Sequence, residues 1–402
     1  MATLQPFRAV RPRPDVAARI AAVPYDVVSA DEARELAADE PLSFLHVSRA
    51  EIDLPPGADP YSEAVYGRAA QNYDVLKKSA LVQEDALSVY IYRLTMDRHV
   101  QTGIAAGFSV DEYERGIIKK HERTRRDKED DRTKHMLALG AQTGPVFLTY
   151  RASAEVNRVV AAEATAAPLF DFEAPDGVGH TLWRVGADRA EGRDALVAAF
   201  HNIPALYIAD GHHRAASAAR ARRCLQDDRG STVLAVAFPH DQVQILPYNR
   251  VVKDLGGMSP DAFLAAVRER FTVESGPASP AKRGDIAMYF AGAWHTLRPR
   301  VPPDASDPIG ALDVSVLQEL LLAPILGIAD IRTDRRIDFV GGARGTSALE
   351  TLVNAGRAAV AFSLFPVSVA ALMNVSDAGD IMPPKSTWFE PKLRDGLLIN
   401  PL

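Results

Sequence analysis

Apolar residues along this chain follow two rhythms, a spacing of three to four that marks helices and short unbroken runs that mark strands. "VPYDVVSADEARELA" reads as an extended segment followed by a helix. Ser29 and Glu32 have capping-box spacing, so that helix starts directly after Ser29. Over residues 61–84, Val65, Ala69, Tyr73, Leu76 and Ala80 fall on one helical face. "SVYIYRLTM" and "QTGIAAGFSV" are rich in β-branched and aromatic residues and predict a hairpin. A charged segment, "KKHERTRRDKEDDRTKHMLALG", precedes the apolar strand "GPVFLTY". Residues 181–240 read strand, helix, strand, helix, strand. Further on come "DIAMYFAGAW", a helix at "DVSVLQELLLAPIL" and a strand–helix pair at "AAVAFSLFPVSVAALM", before a Pro-rich irregular tail, "MPPKSTWFEPKLRDG".

This alternation predicts an α/β fold with an α+β mixture and no internal repeat. No strand is followed by GxGxxG or GxxxxGK[ST], and "GGARGTS" at 341–347 reads as a plain turn. At 402 residues, 47% apolar and 24% charged, the composition is that of a soluble globular protein with one large or a few smaller cores. The net charge of -6 disfavours nonspecific binding to nucleic acid or acidic membrane, and no helix-turn-helix with a basic recognition helix stands out. Cys224 is the single cysteine, which excludes an internal disulfide and fits a reducing cytosol; it is expected to serve packing alone. Neither a signal peptide nor a membrane span is predicted, so a cytoplasmic protein is expected.

The chemistry concentrates in "YIADGHHRAASAAR", residues 207–220. A strand hands over to a helix at Gly211, and the first turn of a helix presents N–H groups without intrahelical acceptors. Gly211 lets backbone approach a ligand closely, Arg214 adds a planar fork of donors, and small Ala215, Ala216 and Ala219 allow close packing. These features describe a phosphate site. Two other readings stand beside it: a junction capped by Asp210 with surface histidines, and a metal site from Asp210, His212 and His213.

Charges also crowd "HERTRRDKEDDR", residues 121–132. A solvated helix would account for them. Alternatively Arg125, Lys128 and Arg132, spaced three and four apart, grip phosphates from one face, while Glu122, Asp127 and Asp131 hold Mg²⁺ through waters. Asp26 closes an extended stretch and is either a turn former or a chemical group. In the tail, Lys385 lies in a Pro-bounded loop that either reaches a phosphate or straps Trp388 and Phe389 to the core.

A strand ending in a Gly-X-X-Arg turn that opens a helix is similar to the phosphate-binding signature of the ParB/sulfiredoxin-like fold. The form "YIADGHHR" resembles a widespread family catalogued as a domain of unknown function and related to nucleotide-dependent kinases of free L-serine. "VPYDVVS", "HERTRRDKEDDR", "ILPYNRVV" and "MPPKSTWFEPKL" also match that family's pattern, so the resemblance spans nearly the whole chain. Asn249 departs from it, standing where a histidine is expected before the arginine.

The resemblance implies a ParB/sulfiredoxin-like core with large N- and C-terminal α/β elaborations. Its three regions would be 1–155 with the VPYD and HERTR segments, 156–270 with the DGHHR motif, and 271–402. It further implies a small-molecule kinase that moves a phosphoryl group from ATP or ADP, with Mg²⁺, to the hydroxyl of free L-serine. Asp210, Gly211, His212, His213 and Arg214 would bind the nucleotide, together with His121, Thr124, Arg125, Lys128, Arg132 and Lys385. Asp26 would act as base and His213 as a second catalytic group, and Glu122 with Asp131 would hold the Mg²⁺. A ParB-like nucleotide-hydrolysing switch and a metal-dependent hydrolase are the alternatives. For the kinase the expected partners are small molecules, a nucleotide and a hydroxy amino acid, with no nucleic acid and no membrane, whereas the switch would depend on a macromolecular partner.

Overall fold

The predicted hairpin is the spine of the larger sheet. The computed structural model describes residues 1–225 and 229–402. Leu4–Gln5 (β1), Val89–Met96 (β2), His99–Ser109 (β3), Ile118–Lys119 (β4), Val146–Tyr150 (β5), Phe170–Glu173 (β6), Gly179–Val185 (β7), Leu206–Asp210 (β8) and Thr232–Pro239 (β9) form one nine-stranded mixed sheet. Its order is β4-β8-β5-β9-β3-β2-β7-β6, with β1 paired to β3. The hairpin β2–β3 closes with Met96 opposite His99. Central β5 is buried along its whole length and β9 in all but its first residue, which is why both read as unbroken apolar runs.

Helices Ala30–Ala37 (α1), Glu63–Ser79 (α2), Arg126–Leu139 (α3), Ala154–Glu163 (α4), Ala190–Phe200 (α5) and His212–Leu225 (α6) accompany this sheet. The capping box that starts α1 is present: the Ser29 N–H donates to Glu32 Oε2 at 2.8 Å and the Glu32 N–H to Ser29 Oγ at 3.2 Å. The apolar face of α2 buries Val65, Ala69, Tyr73 and Leu76 as predicted, and Tyr66 with them. One core joins the sheet to α4, α5 and the alanines of α6, and a second gathers the N-terminal helices around Phe44, Tyr73 and Ile399. Cys224, expected to pack, is instead exposed.

The three expected regions become two units, residues 1–243 with 391–402, and residues 244–390. A boundary near 155 is not formed because β2 and β3 share a sheet and a core with β5, β8 and β9. The second unit is built on a six-stranded antiparallel sheet. It comprises Tyr248–Val252 (β10), Phe271–Ser275 (β11), Ile286–Phe290 (β12), Ala293–Pro299 (β13), Ile337–Gly341 (β14) and Val360–Leu364 (β15), in the order β11-β13-β12-β15-β10-β14. The predicted helix at 313–326 is an α-helical turn, Asp313–Leu317, that continues as a π-helix, Gln318–Leu322. "GGARGTS" includes the single 3₁₀ turn Gly342–Arg344. Among the described residues no helix is long and apolar enough to cross a membrane.

Tight approach of β3 to β9 leaves no room at Gly103, where an added Cβ would lie 2.7 Å from both the Ala237 carbonyl oxygen and the Phe238 ring. Gly103→Ala is therefore expected to cost about 1–3 kcal/mol by overpacking. A urea unfolding midpoint equal to that of the wild type would refute this.

Candidate functional site

Strands β4 and β8 pair in parallel, Ile118 opposite Leu206 and Lys119 opposite Tyr207. Parallel neighbours leave a sheet at the same end, so the chain after each emerges side by side: Lys120, His121 and Glu122 next to Gly211 and His212. The two motifs singled out in the sequence thus meet. The His121 and His212 rings sit edge to face with centroids 4.5 Å apart, and the His121 N–H is 3.4 Å from His212 Nε2. One turn on, the Arg125 N–H donates to His213 Nε2 at 3.1 Å. Helices α3 and α6 continue the contact: Ser217 Oγ donates to the Glu129 carbonyl at 3.2 Å and Arg220 pairs with Glu129 and Asp130.

The turn itself has the left-handed backbone that glycine allows, φ +93° at Gly211. The Gly211 N–H donates to Asp210 Oδ1 at 2.9 Å, and the Gly211 carbonyl accepts from the Ala215 N–H at 3.0 Å. Arg214 is not the outward fork that its spacing suggested. It is 8% exposed, donates to the Pro145 carbonyl and pairs with Asp210 at 3.4 Å. A Cβ at Gly211 would lie 2.9 Å from Arg214 Nε, so the guanidinium packs directly beneath the turn. Lys392 Nζ reaches the same Asp210 oxygen at 3.3 Å. Burial pushes the Asp210 carboxyl up, but Lys392 and Arg214 outweigh it and hold the group well below the usual carboxylate range. Burial lowers His121 to about 4 against the opposing Ile208 carbonyl and Asp210, and burial, with His121 adding to it and Asp210 opposing, takes His212 well below 6.5.

Beside Arg214 lies a partly open cavity of about 40 Å³ lined by Tyr25, Ser48, Arg132, Gln142, Arg214 and Asp395, among others. That is room for a few waters. Ser48 Oγ and Arg214 Nε, both buried, have no hydrogen-bond partner among the described residues. Asp26 is exposed, while Tyr25 before it is buried under Arg132, whose guanidinium stacks 4.1 Å from the ring centroid. Asp26 and Asp395 both act electrostatically on Arg214.

Several charges expected to grip phosphates have local partners. Arg125 precedes α3 and forms a two-point ion pair with Asp127. Lys128 donates to Tyr61 Oη at 2.8 Å, Thr124 donates to Glu129, and Arg132 pairs with Asp131. Asp131 accepts from Tyr66 through its other oxygen at 3.0 Å, so each of its oxygens has a protein donor. Asp210, His212 and His213 do not form a metal set, since ion pairs and the Arg125 N–H engage Asp210 and His213. Lys385 belongs to the second unit, where its ammonium lies 5.5 Å from the Tyr248 ring centroid. Asn249 there is buried in β10 and accepts from the Leu364 N–H at 3.4 Å.

Lys392 and Asp395 escaped the sequence reading. Lys392 stands in a quoted motif, but nothing local connects either residue to a turn some 180 positions earlier.

The profile of the family described as "Protein of unknown function (DUF1015)" matches residues 4–315. Among solved structures, SbnI with a C-terminal truncation from Staphylococcus aureus is 15% identical with a TM-score of 0.42, over 74% of this chain and 87% of that one. A free serine kinase in complex with AMP is 13% identical with a TM-score of 0.38, over 73% and 92%. A conserved hypothetical protein from Pyrococcus furiosus is 12% identical with a TM-score of 0.38, over 74% and 95%. Among curated proteins none matches this chain.

Asp395 offers a check on the buried cluster. Burial raises its carboxyl to about 7, Arg214 opposing and Asp26 adding to the rise. An acid whose folded pKa exceeds its unfolded value holds more protons when folded, so its contribution to stability falls as pH rises from about 4 to about 7. Asp395→Asn removes that slope. Relative to wild type, the variant is expected to gain about 2–3 kcal/mol between pH 5 and pH 8, read from urea unfolding. The same difference at both pH values would contradict a raised pKa.

Proposed function

The chain belongs to the DUF1015 family, and from that premise we propose that it is a small-molecule kinase acting on a hydroxyl, with ATP or ADP as donor and free L-serine as acceptor. The observation that carries this reading is the convergence of the His121–Arg125 segment and the Gly211 turn at one end of the sheet. A tight glycine turn, a helix start and a buried arginine beneath them make a fixed electropositive seat for phosphate oxygens. Arg214 contributes as a charge held close behind the backbone, and the N–H groups of the first turn of α6 make the direct contacts.

Phosphoryl transfer asks the protein mainly for positioning and charge stabilisation. The serine oxygen attacks the terminal phosphorus, the bond from that phosphorus to the bridging oxygen breaks, and the nucleotide leaves one phosphate shorter. The hydroxyl proton passes to the Asp26 carboxylate, which is exposed to substrate and adjacent to the Arg214 field. His213, whose Nε2 accepts from the Arg125 N–H, is the second catalytic group in this reading.

The test incubates purified protein with nucleotide, divalent cations and a panel of hydroxy amino acids, and seeks the phosphorylated acceptor by mass spectrometry. O-phosphoserine is the expected product, and Asp26→Asn is expected to lower kcat by roughly 10²–10⁴. Tight nucleotide binding with no phosphorylated acceptor would replace the kinase by the nucleotide-switch reading. A phosphorylated product with kcat unchanged in Asp26→Asn would remove Asp26 as the base.

A further inference from the structure

We propose that His121, Glu122 and His212 form a binding site for a divalent transition metal of the zinc or iron class. Their donor atoms, one from each residue, all lie within 4.8 Å of one another. A tetrahedral ion with bonds of about 2.0–2.1 Å holds its ligands roughly 3.3 Å apart. The cluster therefore closes by side-chain rotation of about 1.5 Å or less. Glu122 is half-buried, and His121 and His212 are buried.

Three features make this more than a chance meeting. Both imidazoles stand on rigid backbone, one just past β4 and one at the start of α6, held in register by the parallel β4–β8 pair. A ring nitrogen of His121 donates to the Ile208 carbonyl, the outer-shell bond by which proteins orient a ligating histidine. Packing alone would be served better by apolar side chains, since buried polar rings lose hydration. Two imidazoles and one carboxylate suit zinc or iron better than magnesium, which prefers oxygen ligands. Three protein ligands leave open positions for water or a substrate oxygen, the arrangement of a catalytic metal rather than a structural one. The site is distinct from the Glu122–Asp131 pair that the sequence suggested for Mg²⁺ and from the Asp210, His212 and His213 set.

Metal binding can be read without nucleotide or activity, so this proposal and the kinase reading fail separately. Full-length protein is stripped with chelator and titrated with Co²⁺, following the visible d–d absorption of imidazole-bound cobalt and its displacement by Zn²⁺. Wild type and His201→Ala, which removes an exposed histidine at the end of α5, are expected to saturate at one equivalent. Changes to outer-shell partners alone weaken metal sites about 10–100-fold, so His212→Ala and Glu122→Gln are expected to weaken Co²⁺ binding by about 100-fold or more. Glu122→Gln preserves shape and keeps the test valid if His212→Ala fails to fold. A band that never saturates at one equivalent would overturn the proposal, as would equal affinity in Glu122→Gln or loss of binding in His201→Ala.

Discussion

A guanidinium buried beneath a glycine turn sets the terms for the larger unit. Arg214 cannot shed its charge, and an unpaired buried charge would cost several kcal/mol, on the order of 3–5. Its surroundings answer that demand from distant parts of the chain. Asp210 comes from the end of β8, the Pro145 carbonyl from the approach to β5, and the fields of Asp26 and Asp395 from the two ends of the sequence. Lys392 then adds a second cation at the same Asp210 oxygen that Arg214 reaches. The turn that presents Gly211 and the first residues of α6 thus sits on a guanidinium tied to Asp210 and to the Pro145 carbonyl, with Nε alone left without a hydrogen-bond partner among the described residues.

The same principle explains the charged segment before α3. Crowded charges in a sequence suggest either solvated surface or a ligand grip, and here most resolve into local pairs: Arg125 with Asp127, Arg132 with Asp131, Lys128 with Tyr61. The chemistry drawn from the segment uses its backbone, the His121 imidazole and the Glu122 carboxylate. The Arg125 N–H and the His121 ring face the DGHHR motif, so the contribution of the segment lies in what it places beside His212 and His213 rather than in its net charge.

The second unit holds "ILPYNRVV" and residues 382–390 of "MPPKSTWFEPKL". Arg250 is completely buried in β10, donating to the Tyr248 and Lys385 carbonyls, and burial without a carboxylate partner lowers its pKa to about 10. The strand Gln244–Leu246 pairs with Trp388–Glu390 in a two-stranded sheet separate from that of β10. Asn249 takes a backbone hydrogen bond at the position where a histidine was anticipated, a structural use of the residue.

Local chemistry was legible in the sequence because it acts over a few residues. The Ser29 capping box, the 88–110 hairpin, the buried face of α2 and the strand–glycine–helix junction at 206–212 each follow from side chains that touch their near neighbours. Arg214 was found as a residue and misjudged in direction, since spacing along a helix start does not say which side is buried. Only the tertiary structure decided that β4 lies beside β8, and with it that His121 meets His212 from 91 residues away. The return of Lys392 to Asp210 across 182 residues and the burial of Asp395 beside Arg214 were likewise settled by sheet order. Strand order and register are non-local properties of pairing, and a one-dimensional pattern of apolar and polar positions does not encode which strand will be the neighbour.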